Sequence, residues 1–194
     1  MKIERPKPGI RRPEDAKKVF DGVIFDVYQW PQPQYDGSTK TFEIIKRLDT
    51  VMVIPVTTEG RILLVDQEQP GKRPFIGTPG GRIDEGEDPL TAIKRELLEE
   101  TGYSSDEWDL WKAFQPLSKI DWAIYIFIAY NCERTAEQQL DSGEKIKILE
   151  LSFDEFLDET VKEKFLDLEI TMEVLRAKAT KGGIKALQQK LLNT

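Results

Sequence analysis

Residues 79–103 read PGGRIDEGEDPLTAIKRELLEETGY, and the fold is decided there. Asp88 before Pro89 places a capping carboxylate ahead of a proline at the first helical position, where its missing N–H costs nothing. Gly102 stands where a left-handed residue closes a helix, so the spacing predicts a helix from Pro89 to about Thr101. At about 100° per residue, with Glu96 at zero, Glu99 falls at about 300° and Glu100 at about 40°. Leu90 falls at about 120°, Ile93 at about 60° and Leu97 at about 100°. One side of this helix therefore docks on a core while another presents three carboxylates within a single turn.

Like charges at this spacing cost a few tenths of a kcal/mol per pair, so something cationic is expected beside them. Arg95, at about 260°, can bridge sideways to Glu99. The other candidate is a divalent metal, and oxygen-only ligation points to Mg²⁺ or Mn²⁺. A plain solvated acidic face is the bland alternative. Seven acids and three bases lie between Gly81 and Tyr103, so most of the chain's net charge of −7 is gathered in this segment.

Composition narrows the chemistry further. The 194 residues contain 28 Lys and Arg, 35 Asp and Glu, a single Cys132 and no His. Imidazole bases, Ser-His-Asp triads and His-ligated zinc are excluded. A lone cysteine excludes disulfide frameworks and fits a reducing cytoplasm. The acidic balance disfavours binding to a nucleic-acid backbone. Residues 1–15, MKIERPKPGIRRPED, are basic and proline-rich with no apolar stretch behind them, unlike a secretory signal. No window approaches the roughly 20 apolar residues of a membrane span. A cytoplasmic protein with no membrane partner is the expectation.

Outward from the helix the chain reads as strands. Val51–Val56 and Arg61–Gln67 flank Thr58-Glu59-Gly60 as a hairpin. Gly22–Trp30 and Lys40–Arg47 flank Tyr35-Asp36-Gly37-Ser38, whose Asp-Gly step supplies the positive φ of a tight turn. Leu110–Phe114, Trp122–Tyr130 and Lys145–Leu151 complete the strands. Ser152 with Glu155 forms a capping box opening a second helix, and Leu168–Lys178 and Ile184–Leu192 are helical in pattern. Residues 1–16 read as an extended arm, since Pro6, Pro8 and Pro13 fix φ and remove donors. The partition expected is an N-terminal arm and strand pair over 1–47 and a main domain with C-terminal helices over 48–194. Strands on both sides of the first helix predict an α+β fold with a mixed sheet.

The spacing Gly81, Glu87, Arg95-Glu96-Leu97, Glu99-Glu100, Gly102 resembles the Nudix box, with every defining position filled between Gly81 and Tyr103. The resemblance implies the Nudix fold, a mixed β-sheet sandwiched between α-helices, and pyrophosphohydrolase chemistry on a small-molecule nucleotide. It implies that Glu96, Glu99 and Glu100 hold Mg²⁺ (or Mn²⁺) with a carbonyl ligand from Gly80. Arg95 would orient the glutamates and Glu87 would brace the loop. Gly81 and Gly102 would serve as structural positions. Carboxylate and metal suffice for this reaction, so the absence of His is no obstacle.

From about residue 20 to 178 the chain is most similar to the ADP-ribose pyrophosphatase branch, through Glu43-Ile-Ile-Lys-Arg47, Val51-Met-Val-Ile-Pro55 and Leu63-Leu-Val-Asp-Gln67. That similarity implies cleavage of ADP-ribose to AMP and ribose 5-phosphate. Other nucleotide sugars, dinucleoside polyphosphates and NADH are alternatives within the class, and a non-catalytic nucleotide sensor is one outside it. It also implies a homodimer in which the N-terminal strands swap, with Trp30, Tyr28 or Phe42 stacking a base and Glu43 near the substrate. Glu144, before a strand, resembles a loop glutamate that activates the attacking water; whether it or a box glutamate is the base stays open. One departure is visible. Where the branch has an arginine two positions after Gln67, this chain has Gln69, which carries no charge to set against a phosphate. Lys72, Arg73 or Lys119 are the cations that could substitute.

Overall fold

Two apolar runs, Thr50–Thr57 and Ile124–Arg134, lie side by side and parallel at the centre of the computed structural model, which describes residues 3–193. In chain order the elements are β1 (Lys17–Asp21), β2 (Asp26–Pro33), β3 (Thr39–Lys46), β4 (Thr50–Thr57), β5 (Ile62–Glu68), β6 (Phe75–Gly77) and β7 (Gly80–Arg82). Then come α1 (Pro89–Thr101), β8 (Tyr103–Ser104), β9 (Glu107–Phe114), β10 (Ile120–Asp121), β11 (Ile124–Arg134) and β12 (Lys145–Leu151). Three helices follow: α2 (Phe153–Glu159), α3 (Leu168–Ala179) and α4 (Gly183–Leu192).

The apolar runs 51–56 of β4 and 124–130 of β11 follow from burial on both faces. Val51 and Val53 of β4 with Tyr125, Phe127 and Ala129 of β11 point to one side, where Ile93 and Leu97 of α1 close the core. Ile54 and Val56 with Ile126 and Ile128 point to the other, against Phe156, Ile170, Val174 and Leu191 of the three C-terminal helices. Burying Ile93 and Leu97 completely contributes roughly 1.5–3 kcal/mol each, enough to fix the rotation of α1. Cys132 lies under α1 in the same core, where burial pushes the pKa of its thiol up to about 12. The protein is thus an α+β fold with mixed sheets and four helices among the described residues.

Only the far end of β4 pairs with β5, at Val56 and Ile62, while its first three residues pair with β7. The sheet therefore splays, with β5 and β6 on one side of the gap and β7 on the other. The floor of a cleft is the result.

The N-terminal region has one strand more than the sequence predicts. Instead of a strand over 22–30, β1 and β2 are separate antiparallel strands joined by a turn closed by Gly22 N–H to Phe25 O at 3.1 Å. A Cβ at Gly22 would press on that carbonyl, so the turn needs glycine. Every residue of β1 is exposed, which leaves no alternation in the sequence to betray it. β2 and β3 form the expected hairpin, its turn held by Asp36, which accepts from Ser38 N–H at 2.9 Å. β10 then adds in parallel to β3, so this four-stranded sheet includes residues from beyond position 47. The arm is docked rather than loose: Arg5 donates to Asp49 at 2.7 and 2.9 Å and to Asp121 at 2.7 Å, and Pro6 O accepts from Gln115 at 3.1 Å. Among the described residues no helix is long and apolar enough to cross a membrane.

Candidate active site

The helix α1 begins and ends as its sequence dictates. Asp88 accepts from Leu90 and Thr91 N–H groups at 3.0 and 3.2 Å, and Pro89 occupies the first turn. Gly102 closes the helix at φ +73°, and a Cβ there would also collide with Ala136 O. The last carbonyls of α1 are then used to hold a loop. Glu99 O accepts from Gln139 N–H at 2.8 Å, Glu100 O from the Gln138 amide at 2.6 Å, and Gly102 O from Thr135 and Ala136 at 2.9 and 3.1 Å. That loop runs on to Glu144, so the helix end sets where the loop glutamate stands.

Arg95 sits at the centre of the acidic cluster. It donates to Glu87 at 3.2 and 3.0 Å, to Glu96 at 2.9 Å and to Glu99 at 3.1 Å. These bonds hold its guanidinium firmly charged, and the same pairing holds Glu87 below the usual carboxylate range. Glu87 also accepts from Asp84 N–H at 3.1 Å, tying the loop before the helix to it. Glu100 is only 5% exposed and accepts from Gly80 N–H at 2.9 Å. Burial raises its carboxyl well above the ordinary value, with Glu96 and Glu144 adding repulsion; burial raises Glu96 as well. Gly81 lies directly against the Glu96 carboxylate, and any side chain at position 81 would collide with it.

All of these groups except Glu87 line one cleft of about 900 Å³. It brings together Gly80, Gly81, Arg95, Glu96, Glu99, Glu100 and Glu144 from the sequence-predicted set, with Gln69. Gln69 donates to Glu144 at 3.4 Å, and Lys72 donates to Gln69 at 3.2 Å. Of the three alternative cations only Lys72 faces the cleft; Lys119 sits over the Phe42 ring, 6.0 Å from its centroid. Trp30 and Glu43 are not brought to the cleft. Trp30 is buried against Phe42 at 5.2 Å between ring centroids, and Glu43 accepts from Gln29 at 2.9 Å on the N-terminal sheet.

Sequence reasoning misses two contributors. Arg47 and Arg82 line the same cleft, Arg82 next to Gly81 with its carbonyl accepting from Arg95 at 3.2 Å, and among the described residues neither side chain has a carboxylate at ion-pair distance. Arg47 rests on Trp122, 4.4 Å from the ring centroid, and burial followed by repulsion from Arg82 lowers its pKa. Trp122 is itself fixed by its indole N–H to Thr50 at 3.1 Å. Arg47 closes the Glu43-to-Arg47 run, but nothing local in the sequence says its side chain turns into a cleft.

The donor set suits a hard divalent cation: carboxylate oxygens, crowded and partly desolvated, with one guanidinium among them. Among the described residues no three acidic side chains already converge as a finished ligand cage, because Glu96 and Glu99 are turned to Arg95.

Comparisons with known proteins identify the family. The NUDIX domain family matches residues 46–168. The chain is 30% identical over 144 residues to the ADP-ribose pyrophosphatase of Bacillus subtilis (strain 168), covering 73% of this chain and 78% of that protein. It is 34% identical over 153 residues to the methanol dehydrogenase activator of Bacillus methanolicus, covering 77% and 82%. A solved structure of an ADP compounds hydrolase superposes with a TM-score of 0.70 at 16% identity, over 92% of this chain and 95% of that one, a likeness of fold. With the box intact in a cleft and the family matched across the core, the chain belongs to the Nudix family of pyrophosphohydrolases.

Proposed function

We propose that the cleft hydrolyses the diphosphate of ADP-ribose, releasing AMP and ribose 5-phosphate. The observation that carries this is the meeting of crowded carboxylates and unpaired guanidiniums in one cleft. One part of the lining, the acidic wall, holds Glu96, Glu99, Glu100 and Glu144, and another, the basic wall, holds Arg47 and Arg82, two arginines without carboxylate partners among the described residues. The relative in Bacillus subtilis, an ADP-ribose pyrophosphatase, supports the choice of substrate. Glu96, Glu99 and Glu100 would hold Mg²⁺ or Mn²⁺, which supplies polarisation of the phosphoryl oxygens and acidification of a bound water. Arg95 keeps Glu96 and Glu99 oriented, and Gly80 N–H keeps Glu100 in place. Arg47 and Arg82 bind the anionic substrate.

Glu144 takes the proton of the attacking water. Arg95 engages Glu96 and Glu99 and Gly80 engages Glu100, whereas Glu144 receives the long bond from the Gln69 amide, which leaves its lone pairs available. The exposed apolar side chains of the N-terminal sheet, Phe20, Val23, Ile24 and Phe25, support a homodimer built through that sheet.

The test is product release from a panel of ADP-ribose, other nucleotide sugars, dinucleoside polyphosphates and NADH with Mg²⁺, for the wild type and Glu99→Gln. Turnover is expected to be highest on ADP-ribose and to fall by about 10³-fold or more in the variant, the scale of lost charge stabilisation at a reacting phosphoryl group. A non-catalytic sensor would bind nucleotide, release nothing and be insensitive to the substitution.

A further inference from the structure

Asp167 stands in the last position before α3, where an aspartate ordinarily turns its carboxylate onto the first N–H groups of its own helix. Asp88 and Ser152 do this for α1 and α2. Asp167 does not: it makes no side-chain cap bond to α3. Its Oδ2 instead accepts from Thr78 N–H at 2.6 Å and from Thr78 Oγ1–H at 2.8 Å, across 89 residues of sequence. Position 77 is glycine, and a Cβ there would lie 3.1 Å from the same oxygen, so the glycine makes room for the carboxylate.

The surrounding backbone is joined in the same place. Ile76 N–H donates to Lys164 O at 2.8 Å and Leu166 N–H donates to Ile76 O at 2.9 Å, so the chain entering α3 runs in parallel beside β6. Just beyond Thr78, Gly80 donates to Glu100, and between them Pro79 O accepts from Val53 N–H at 3.0 Å. The segment from Gly77 to Gly80 is therefore gripped at one end by Asp167 and at the other by Glu100 of the box. Thr78 is 6% exposed, and replacing either partner would leave polar atoms there without the other.

We propose that Asp167 is a positioning residue of the hydrolytic site, acting through Thr78 to fix the Gly80 backbone against Glu100. It gives up the stabilisation of capping α3 to hold a segment that no residue of the box itself reaches from that side. The C-terminal helices, which carry none of the reacting groups, are thereby tied to the geometry of the acids. The proposal rests on the cleft being the hydrolytic site, but half of its test does not depend on the substrate.

The experiment compares the wild type with Asp167→Ala, Asp167→Asn, Thr78→Val and Thr78→Ser. Backbone amide exchange is followed by NMR at Thr78 and Gly80, and kcat and KM are measured on the best substrate of the panel. In Asp167→Ala the exchange of both amides should accelerate about tenfold or more, as a local opening is made easier. Its kcat should fall by about 10- to 100-fold, the scale of an ångström-sized displacement at a reacting centre, with KM within about threefold. Thr78→Val should lose part of this and Thr78→Ser should keep wild-type behaviour, because it retains the hydroxyl donor. Should Asp167→Ala fail to fold, Asp167→Asn and Thr78→Val carry the test with the same directions. A lower melting temperature with unchanged kcat and unchanged Gly80 exchange would overturn the proposal and leave Asp167 as ordinary scaffold. So would a change confined to KM. If no substrate in the panel turns over, the choice of substrate fails, while the Gly80 exchange still decides the role of Asp167.

Discussion

The two walls of the cleft are built by opposite strategies. The acidic wall is local: Arg95, Glu96, Glu99 and Glu100 fall between positions 95 and 100, Glu87 braces Arg95 from outside the lining, and their bonds to one another are short-range in sequence. The basic wall is assembled from separate pieces, Arg47 at the end of the N-terminal sheet, Arg82 in β7 within the box segment, and Trp122 just ahead of β11. On the acidic wall a guanidinium is surrounded by carboxylates. On the basic wall two guanidiniums face the cleft with none among the described residues. On the proposed function, the wall that would hold a cation is stocked with its own counter-charge, whereas the wall that would hold an anion is left for the substrate to complete.

The comparison breaks most visibly at Glu144, which belongs to the acidic wall in space but to a separate loop in sequence. Glu144→Gln should lower kcat by about 10²–10⁴-fold, the usual contribution of a positioned base. A loss below about tenfold would return that role to a box glutamate. On the basic wall Arg47→Ala should act on binding: KM for ADP-ribose is expected to rise about 10- to 100-fold, the worth of one charge-assisted hydrogen bond, with kcat changed far less. A loss in kcat equal to that in kcat/KM would mean that Arg47 acts only in the transition state, and the division between the walls would fail. The smallest effect is expected at Gln69, whose bond to Glu144 is 3.4 Å long. Gln69→Leu should reduce kcat by about three- to tenfold without altering KM, and a loss as large as that of Glu144→Gln would make Gln69 a partner in the chemistry.

The same division decides what could be read from the sequence. The helix α1, its two caps and the facing of its three glutamates depend on contacts within a few residues, so spacing alone reveals them. The runs of β4 and β11 are legible because both faces are buried. β1 and β10 are short or exposed and leave no periodic trace, and β6 and β7 are three residues each. Gln69 stands out as a missing arginine, yet its actual neighbour is Glu144, 75 residues away. Asp167 is hidden twice, since an aspartate before a helical pattern already has an ordinary explanation as a cap, and Thr78 is 89 residues distant. What depends on register between distant strands is settled only when the chain is folded.

The core beneath α1 has a practical consequence for following this site in motion. Its one cysteine, Cys132, is buried and the pKa of its thiol is pushed up to about 12, so near neutral pH it is almost wholly protonated and shielded from alkylating reagents. A second cysteine placed on the exposed part of the Glu144 loop would therefore be the only reactive thiol of the folded molecule. The native sequence is in this respect already prepared for a spectroscopic label, with no background residue to remove.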